Sequence, residues 1–268
     1  MSSEVRLIKG RRERQDDEPL HRGVYLLPNL ITTCGLFSGF YSIIATIDGS
    51  YQMAAICILI AHVFDGLDGR IARLTKSTSK FGIEYDSLSD LVAFGVAPGI
   101  LVYKWALEPW GNWGWLAASL YVACGALRLA RFNVQADLGS KKHFTGLPIP
   151  AAADTVASTV LLYYFFGGEG ATHKHIILLV VIYGLAALMV SNVSYNSFKS
   201  INLNPRQPLW MLVAVIVGLK FVIAEPQIFM FTAFMLYALS GPVTWIIGRP
   251  KARRARHEQP VAKVGNLR

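Results

Sequence analysis

Apolar residues run along this chain in long blocks, separated by short polar stretches that hold most of its charge. A helix needs about 20 mostly apolar residues to cross the hydrocarbon core of a bilayer. Gly23–Ile47, Pro109–Leu127, Ile176–Phe198 and Pro226–Gly248 contain no charged residue and are long enough. Four further blocks are shorter or interrupted. Gly49–Phe64 runs into a polar motif, and Leu91–Tyr103 follows an aspartate pair. Phe144–Gly168 encloses Asp154, and Gln207–Ala224 encloses Lys220, which lies near one end and can snorkel. The pattern predicts an all-α integral membrane protein with about eight transmembrane helices. The ten-residue alternation of a membrane barrel is missing from these blocks.

Composition agrees. Of 268 residues, 53% are apolar and only 16% charged, against about 25% charged in soluble domains. Cys34, Cys57 and Cys124 all lie inside apolar blocks, which predicts buried thiols rather than a disulfide framework. The polar N-terminal stretch before the first block is the wrong order for a cleaved signal peptide.

Basic residues sort by side. If eight helices alternate, all of the 26 Lys and Arg except Lys104, Lys174 and Lys220 fall on one face. Cytoplasmic loops carry that excess, so both termini are expected in the cytoplasm. The chain then divides into a basic N-terminal segment (1–22), a transmembrane domain (23–248) and a basic tail (249–268). Arg6–Arg22 is a candidate surface helix, interrupted by Asp16, Asp17 and Pro19. The formal charge of +9 fits tails lying against an anionic leaflet and does not call for nucleic acid.

The most informative stretch is Asp65–Asp90. Asp65 and Asp68 lie three apart and Asp86 and Asp90 four apart, so each pair shares a helix face. The first pair ends the second span and the second pair starts the third, so four carboxylates can converge at one level. Ionisable groups at membrane depth are costly and usually functional. Hard carboxylate oxygens suit Mg²⁺ or Mn²⁺, and paired metals recur in phosphoryl transfer. Gly66 and Gly69 remove side chains beside the carboxylates, and Gly82 does so on the facing helix, which lets a nucleotide reach the backbone. Arg73 can fork onto a phosphate.

Together, Asp65, Asp68, Gly69, Ala72, Arg73, Gly82, Asp86 and Asp90 resemble the signature of the CDP-alcohol phosphatidyltransferases, with every fixed position matched. The resemblance implies that Asp65, Asp68 and Asp86 ligate two metals. It implies that Asp90 touches the second metal and acts as general base. It gives Gly69, Arg73 and Ser79 to the CDP group. Pro28-Asn29 and Thr32 resemble the family's additional nucleotide contact; Pro28-Asn29 also reads as a plain helix start. A homodimer, and a bacterial- or archaeal-type plasma membrane with the site facing the cytoplasm, are further expectations.

Two later stretches bear on the acceptor. Ala126–Asn133 carries Arg128 and Arg131, three apart, so both can face the site, and Phe144–Pro150 leads into the fifth span. Together they resemble the membrane-integral phosphatidylserine synthases within that family. This implies CDP-diacylglycerol and L-serine as substrates, with an arginine for the serine carboxylate and Asn133 nearby. The arginines alone also fit glycerol 3-phosphate or inositol phosphate, or simple positive-inside topology. Asp154 either binds the serine ammonium, pairs with an arginine, or stays neutral. His62, one turn before Asp65, reads as packing or as support for the carboxylates. A divalent-cation transporter is the rival from another class.

Overall fold

The computed structural model describes residues 26–75, 77, 79–137, 146–193, 195, 220 and 224–257. Among these there is no strand. The helices are α1 (Leu26–Ile47), α2 (Tyr51–Leu74), α3 (Lys80–Trp110), α4 (Asn112–Asp137), α5 (Ile149–Phe165), α6 (Ile176–Val190) and α7 (Pro226–His257). Four of them are long and apolar enough to cross a membrane, namely α1, α3, most of α4 and Pro226–Trp245 of α7. Most of the expected seventh span, and the expected surface helix at Arg6–Arg22, lie outside the described residues.

Two expectations about length change. The third block is not a short helix. It extends in both directions into one 31-residue rod, Lys80–Trp110. Two wide π-helical turns let it continue, at Leu91–Val96, where the Ala97 N–H reaches Val92 O, and at Tyr103–Leu107, where the Glu108 N–H reaches Tyr103 O. The sixth block is shorter than its apolar run. It stops at Val190, and Ser191 turns to extended backbone. The chain beyond it is held by the segment entering α5: Gly146 N donates to Val193 O and Leu147 N to Leu188 O. Gly146 has φ +87°, and a Cβ there would stand 2.3 Å from Met189 O, so the turn demands glycine twice over.

Small residues let the helices approach. α1 and α2 form an antiparallel pair closed by Gly49, at φ +76°. Ser38 and Ser42 of α1 donate to the carbonyls of Cys57 and Ala54 on α2. Such small and hydroxylated residues mark helix contacts inside bilayers, where burial of apolar surface offers no drive. α1 also meets α3 so closely that a Cβ on Gly39 would stand 2.6 Å from Ala93 Cα. α5 runs through the middle of the bundle, with Ala152, Ala153, Asp154 and Ala157 fully buried. Leu26, Phe37, Phe40, Tyr41, Trp113 and Trp115 point outward and are exposed. An apolar exterior of this kind, rimmed by aromatics, is what lipid requires.

Three prolines inside α3 and α7 are compensated from outside. Proline removes the N–H that would bond the carbonyl four residues earlier. For Pro98 that carbonyl is Phe94 O, which accepts the Tyr121 hydroxyl at 3.2 Å. For Pro109 it is Trp105 O, which accepts Thr172 N at 2.8 Å. For Pro242 it is Ala238 O, which accepts the Tyr195 hydroxyl at 3.0 Å.

Candidate active site

Three elements converge on the aspartates. The first turns of α1 bring Asn29 and Thr32, the last turns of α2 bring Asp65, Asp68, Gly69 and Arg73, and the first half of α3 brings Gly82, Asp86 and Asp90. α3 starts where it does because Ser79 caps it, its side-chain oxygen accepting the Gly82 N–H at 2.9 Å.

Asp65, Asp68 and Asp86 each offer an oxygen within 4.8 Å of the other two. Asp90 falls outside that set, yet all four carboxylates border one small interior gap together with Thr32 and Ser89. Asp68 is only 5% exposed, and its Oδ2 accepts the Thr32 hydroxyl at 2.7 Å. The same hydroxyl lies 3.1 Å from Pro28 O, and Ser89 donates to Thr32 O, which fixes α1 against the cluster. Asp86 Oδ1 is buried with no hydrogen-bond partner among the described residues. A buried, unpaired carboxylate oxygen is expensive. A hard divalent cation would satisfy it, and an all-carboxylate donor set is the kind such cations take. The residues therefore fit a divalent metal.

The cluster forms a wall between two cavities that share Ile83 and Asp86. The smaller, about 180 Å³, is lined by Pro28, Asn29, Thr32, Asp68, Gly69, Ala72, Arg73, Ser77, Ser79 and Gly82. Arg73 folds back over Gly69, its Nη1 standing 3.4 Å from where a Cβ would be. A Cβ on Gly82 would press on Ser79 Oγ and Asn29 Oδ1, at 3.2 and 3.3 Å. Gly66 is exposed and lines neither cavity.

The larger cavity, about 400 Å³, opens on Asp65, Asp86 and Asp90 from the other side. Arg128 and Asn133 of α4 line it, with Ser87, Phe132, Pro148, Pro150, Tyr195 and Tyr237. Arg128 sits within electrostatic reach of Asp90, and its Nε is buried without a hydrogen-bond partner among the described residues. Asn133 and Ser87 exchange hydrogen bonds at 3.0 and 3.3 Å, tying α4 to α3.

Two expected acceptor residues are placed elsewhere. Arg131 is not in the cavity; its Nη2 donates to Asn192 Oδ1 at 2.7 Å. α4 turns about 100° per residue, so a three-residue step leaves Arg131 rotated off the narrow face that Arg128 presents. Among the described residues Asp154 pairs with no arginine. It is fully buried on α5, 2.5 Å from His62 Nδ1, and lines neither cavity. His62, whose ring meets Phe94 edge-on at 5.9 Å, thereby links α2 to α5.

Tyr195, Tyr237 and Ser87 were not anticipated as lining residues, whereas Phe132, Pro148 and Pro150 fall within the two stretches expected to bear on the acceptor. One signal was available: Gly241-Pro242 inside an apolar block announces an orphaned carbonyl at Ala238, and hence a donor from elsewhere. Nothing in the sequence says that the donor is Tyr195.

A carboxylate cluster that could hold a metal, between a glycine-bordered cavity with Arg73 and a second cavity with Arg128, is the layout of a membrane enzyme that brings two substrates together. The sequence profile of the CDP-alcohol phosphatidyltransferases matches residues 25–193, and the chain belongs to this family. It is 42% identical over 224 residues to the CDP-diacylglycerol–serine O-phosphatidyltransferase of Helicobacter pylori J99, covering 83% of this chain and 92% of that one. It is 41% identical over 171 residues to the archaetidylserine synthase of Methanothermobacter thermautotrophicus, covering 63% and 69%. The serine O-phosphatidyltransferase of Mycobacterium tuberculosis H37Rv is 30% identical over 253 residues, covering 87% and 88%.

Proposed function

We propose that this protein transfers a phosphatidyl group from CDP-diacylglycerol to L-serine, giving phosphatidylserine and CMP. The observation that carries the proposal is the aspartate wall between the two cavities, with Arg73 on one side and Arg128 on the other. The names of the relatives support serine as acceptor.

In this reading the smaller cavity takes the CDP group, with Asn29, Thr32, Gly69, Ser79 and Gly82 around it and Arg73 on a phosphate. Gly66 leaves open space beside Asp65. Asp65, Asp68 and Asp86 would hold Mg²⁺ or Mn²⁺, with Asp90 completing a site for two ions. When bound, the ions neutralise the pyrophosphate and stabilise the departing CMP. Serine enters the larger cavity with its carboxylate on Arg128 and Asn133 beside it. Asp90 takes the proton from the serine hydroxyl. The serine oxygen gains a bond to the lipid-bearing phosphorus, and that phosphorus loses its bond to CMP, which leaves with the electron pair. Arg131 and Asp154 act from outside the cavity in this arrangement, Arg131 at the end of α6 and Asp154 through His62.

The remaining expectations join the proposal: about eight spans, both termini cytoplasmic, a catalytic domain at 23–248 flanked by basic segments 1–22 and 249–268, and a site facing the cytoplasm of the inner (plasma) membrane. The one-sided distribution of Lys and Arg supports them. A homodimer is proposed on the family resemblance alone.

Purified protein offered labelled CDP-diacylglycerol with serine, glycerol 3-phosphate and inositol phosphate in parallel tests the reaction. Phosphatidylserine and stoichiometric CMP are expected with serine. Product with a phosphorylated polyol and none with serine would overturn the acceptor. Divalent-cation flux into liposomes without CMP release would overturn the enzyme.

A further inference from the structure

α7 is apolar along the stretch that borders the larger cavity, yet it contains Gly241-Pro242. Pro242 cannot donate to Ala238 O, and a bare carbonyl has no water to turn to inside a bilayer. The Tyr195 hydroxyl supplies the missing hydrogen at 3.0 Å. Gly241 makes room for it, because a Cβ there would stand 2.3 Å from the tyrosine Cζ. Pro98 and Pro109 are compensated in the same way, but their donors, Tyr121 and Thr172, lie away from the larger cavity. Of these three, only Pro242 has a donor that also forms the cavity wall. The Tyr195 ring packs against that of Tyr237 with centroids 5.5 Å apart, and both line the cavity that holds Asp90 and Arg128. Tyr237 lies one residue before Ala238 on α7, within electrostatic reach of Arg128.

We propose that Tyr195 is a positioning residue for the acceptor: by bonding the carbonyl that Pro242 orphans, it locks α7 in the register that sets Tyr237 beside Arg128. One hydrogen bond between segments far apart in sequence then sets the register of the acceptor-side wall. This rests on the reading that the larger cavity takes the acceptor. Loosening that bond lets α7 shift and weakens acceptor binding, while the nucleotide cavity on the opposite side of the aspartates is unaffected.

The test is a cycle of Tyr195→Phe and Pro242→Ala. Alanine at 242 restores an N–H four residues after Ala238, so the helix can satisfy its own carbonyl. In the wild-type background Tyr195→Phe should raise the serine KM roughly three- to tenfold, the net worth of one buried hydrogen bond. kcat and the KM for CDP-diacylglycerol should stay within about twofold. In the Pro242→Ala background the same change should raise the serine KM less than about twofold. An equal rise in both backgrounds would show that the hydroxyl acts on substrate directly and would overturn the proposal, as would an unchanged KM in Tyr195→Phe. If Tyr195→Phe alone is not recovered folded, Pro242→Ala is compared with the double variant: matching KM values support the proposal and a rise overturns it. If wild-type protein turns over another acceptor instead of serine, the serine reading fails by itself and the cycle is measured with that acceptor.

Discussion

Thr32 offers a sharp test of how the carboxylates are held. Its hydroxyl donates to Asp68 Oδ2 at 2.7 Å, and the two residues are only 6% and 5% exposed. Valine has nearly the same shape and no donor. A hydrogen bond to a charged group contributes about 1.5–3 kcal/mol, and groups that orient metal-binding side chains typically change metal affinity by about 10–100-fold when removed. Thr32→Val should therefore move the Mg²⁺ or Mn²⁺ concentration for half-maximal CMP release up by about 10–100-fold, with much of the rate returning at saturating metal. Thr32→Ser, which keeps the donor, should stay close to wild type. Thr33→Val removes a hydroxyl bonded to Tyr85 and to Asn29 O, away from the aspartates, and should leave the midpoint unchanged. A Thr32→Val midpoint equal to wild type would refute the claim that this bond orders Asp68 for metal.

Asp90→Asn should abolish turnover, by a factor of at least about 100, while CDP-diacylglycerol still binds in a direct binding assay. Arg128→Ala should raise the serine KM more than about tenfold, and Arg131→Ala less than about threefold, since Arg131 is engaged with Asn192 outside the cavity; steady-state kinetics of the two variants separates the roles. Chelation should stop CMP release, and added Mg²⁺ or Mn²⁺ should restore it. Gly39→Ala would force a methyl against Ala93 of α3, costing about 1–3 kcal/mol, seen as a lower unfolding temperature in detergent.

The aspartates were legible because helical periodicity is local: spacings of three and four place a pair on one face before any tertiary structure is known. Gly69, Gly82 and Arg73 were legible for the same reason, while Gly66 lines neither cavity. What required the fold is whatever depends on pairing between distant segments. His62 and Asp154 are 92 positions apart, and no pattern in either helix names the other. Arg131 shared a coarse face with Arg128, but the cavity is narrower than that face. Tyr195 and Tyr237 read as ordinary aromatics of apolar segments. The length of α6 was misjudged because apolar residues continue past Val190, while hydrogen bonds from Gly146 and Leu147 to Val193 and Leu188 fix the chain there. α3 was misjudged in the other direction, since wide turns let a helix persist through a sequence that looks broken.

Those wide turns have a consequence for how α3 can vary. Each adds roughly one residue to a turn, and one residue is about 100° of rotation. The first lies directly after Asp90, so the half of the rod bearing the carboxylates and the half bearing Leu101 and Trp105 are clocked independently. Losing one residue between Leu91 and Val96 would not simply shorten the rod. It would turn the wide turn into an ordinary one, leaving Trp105 facing the core and Asp86 and Asp90 in place.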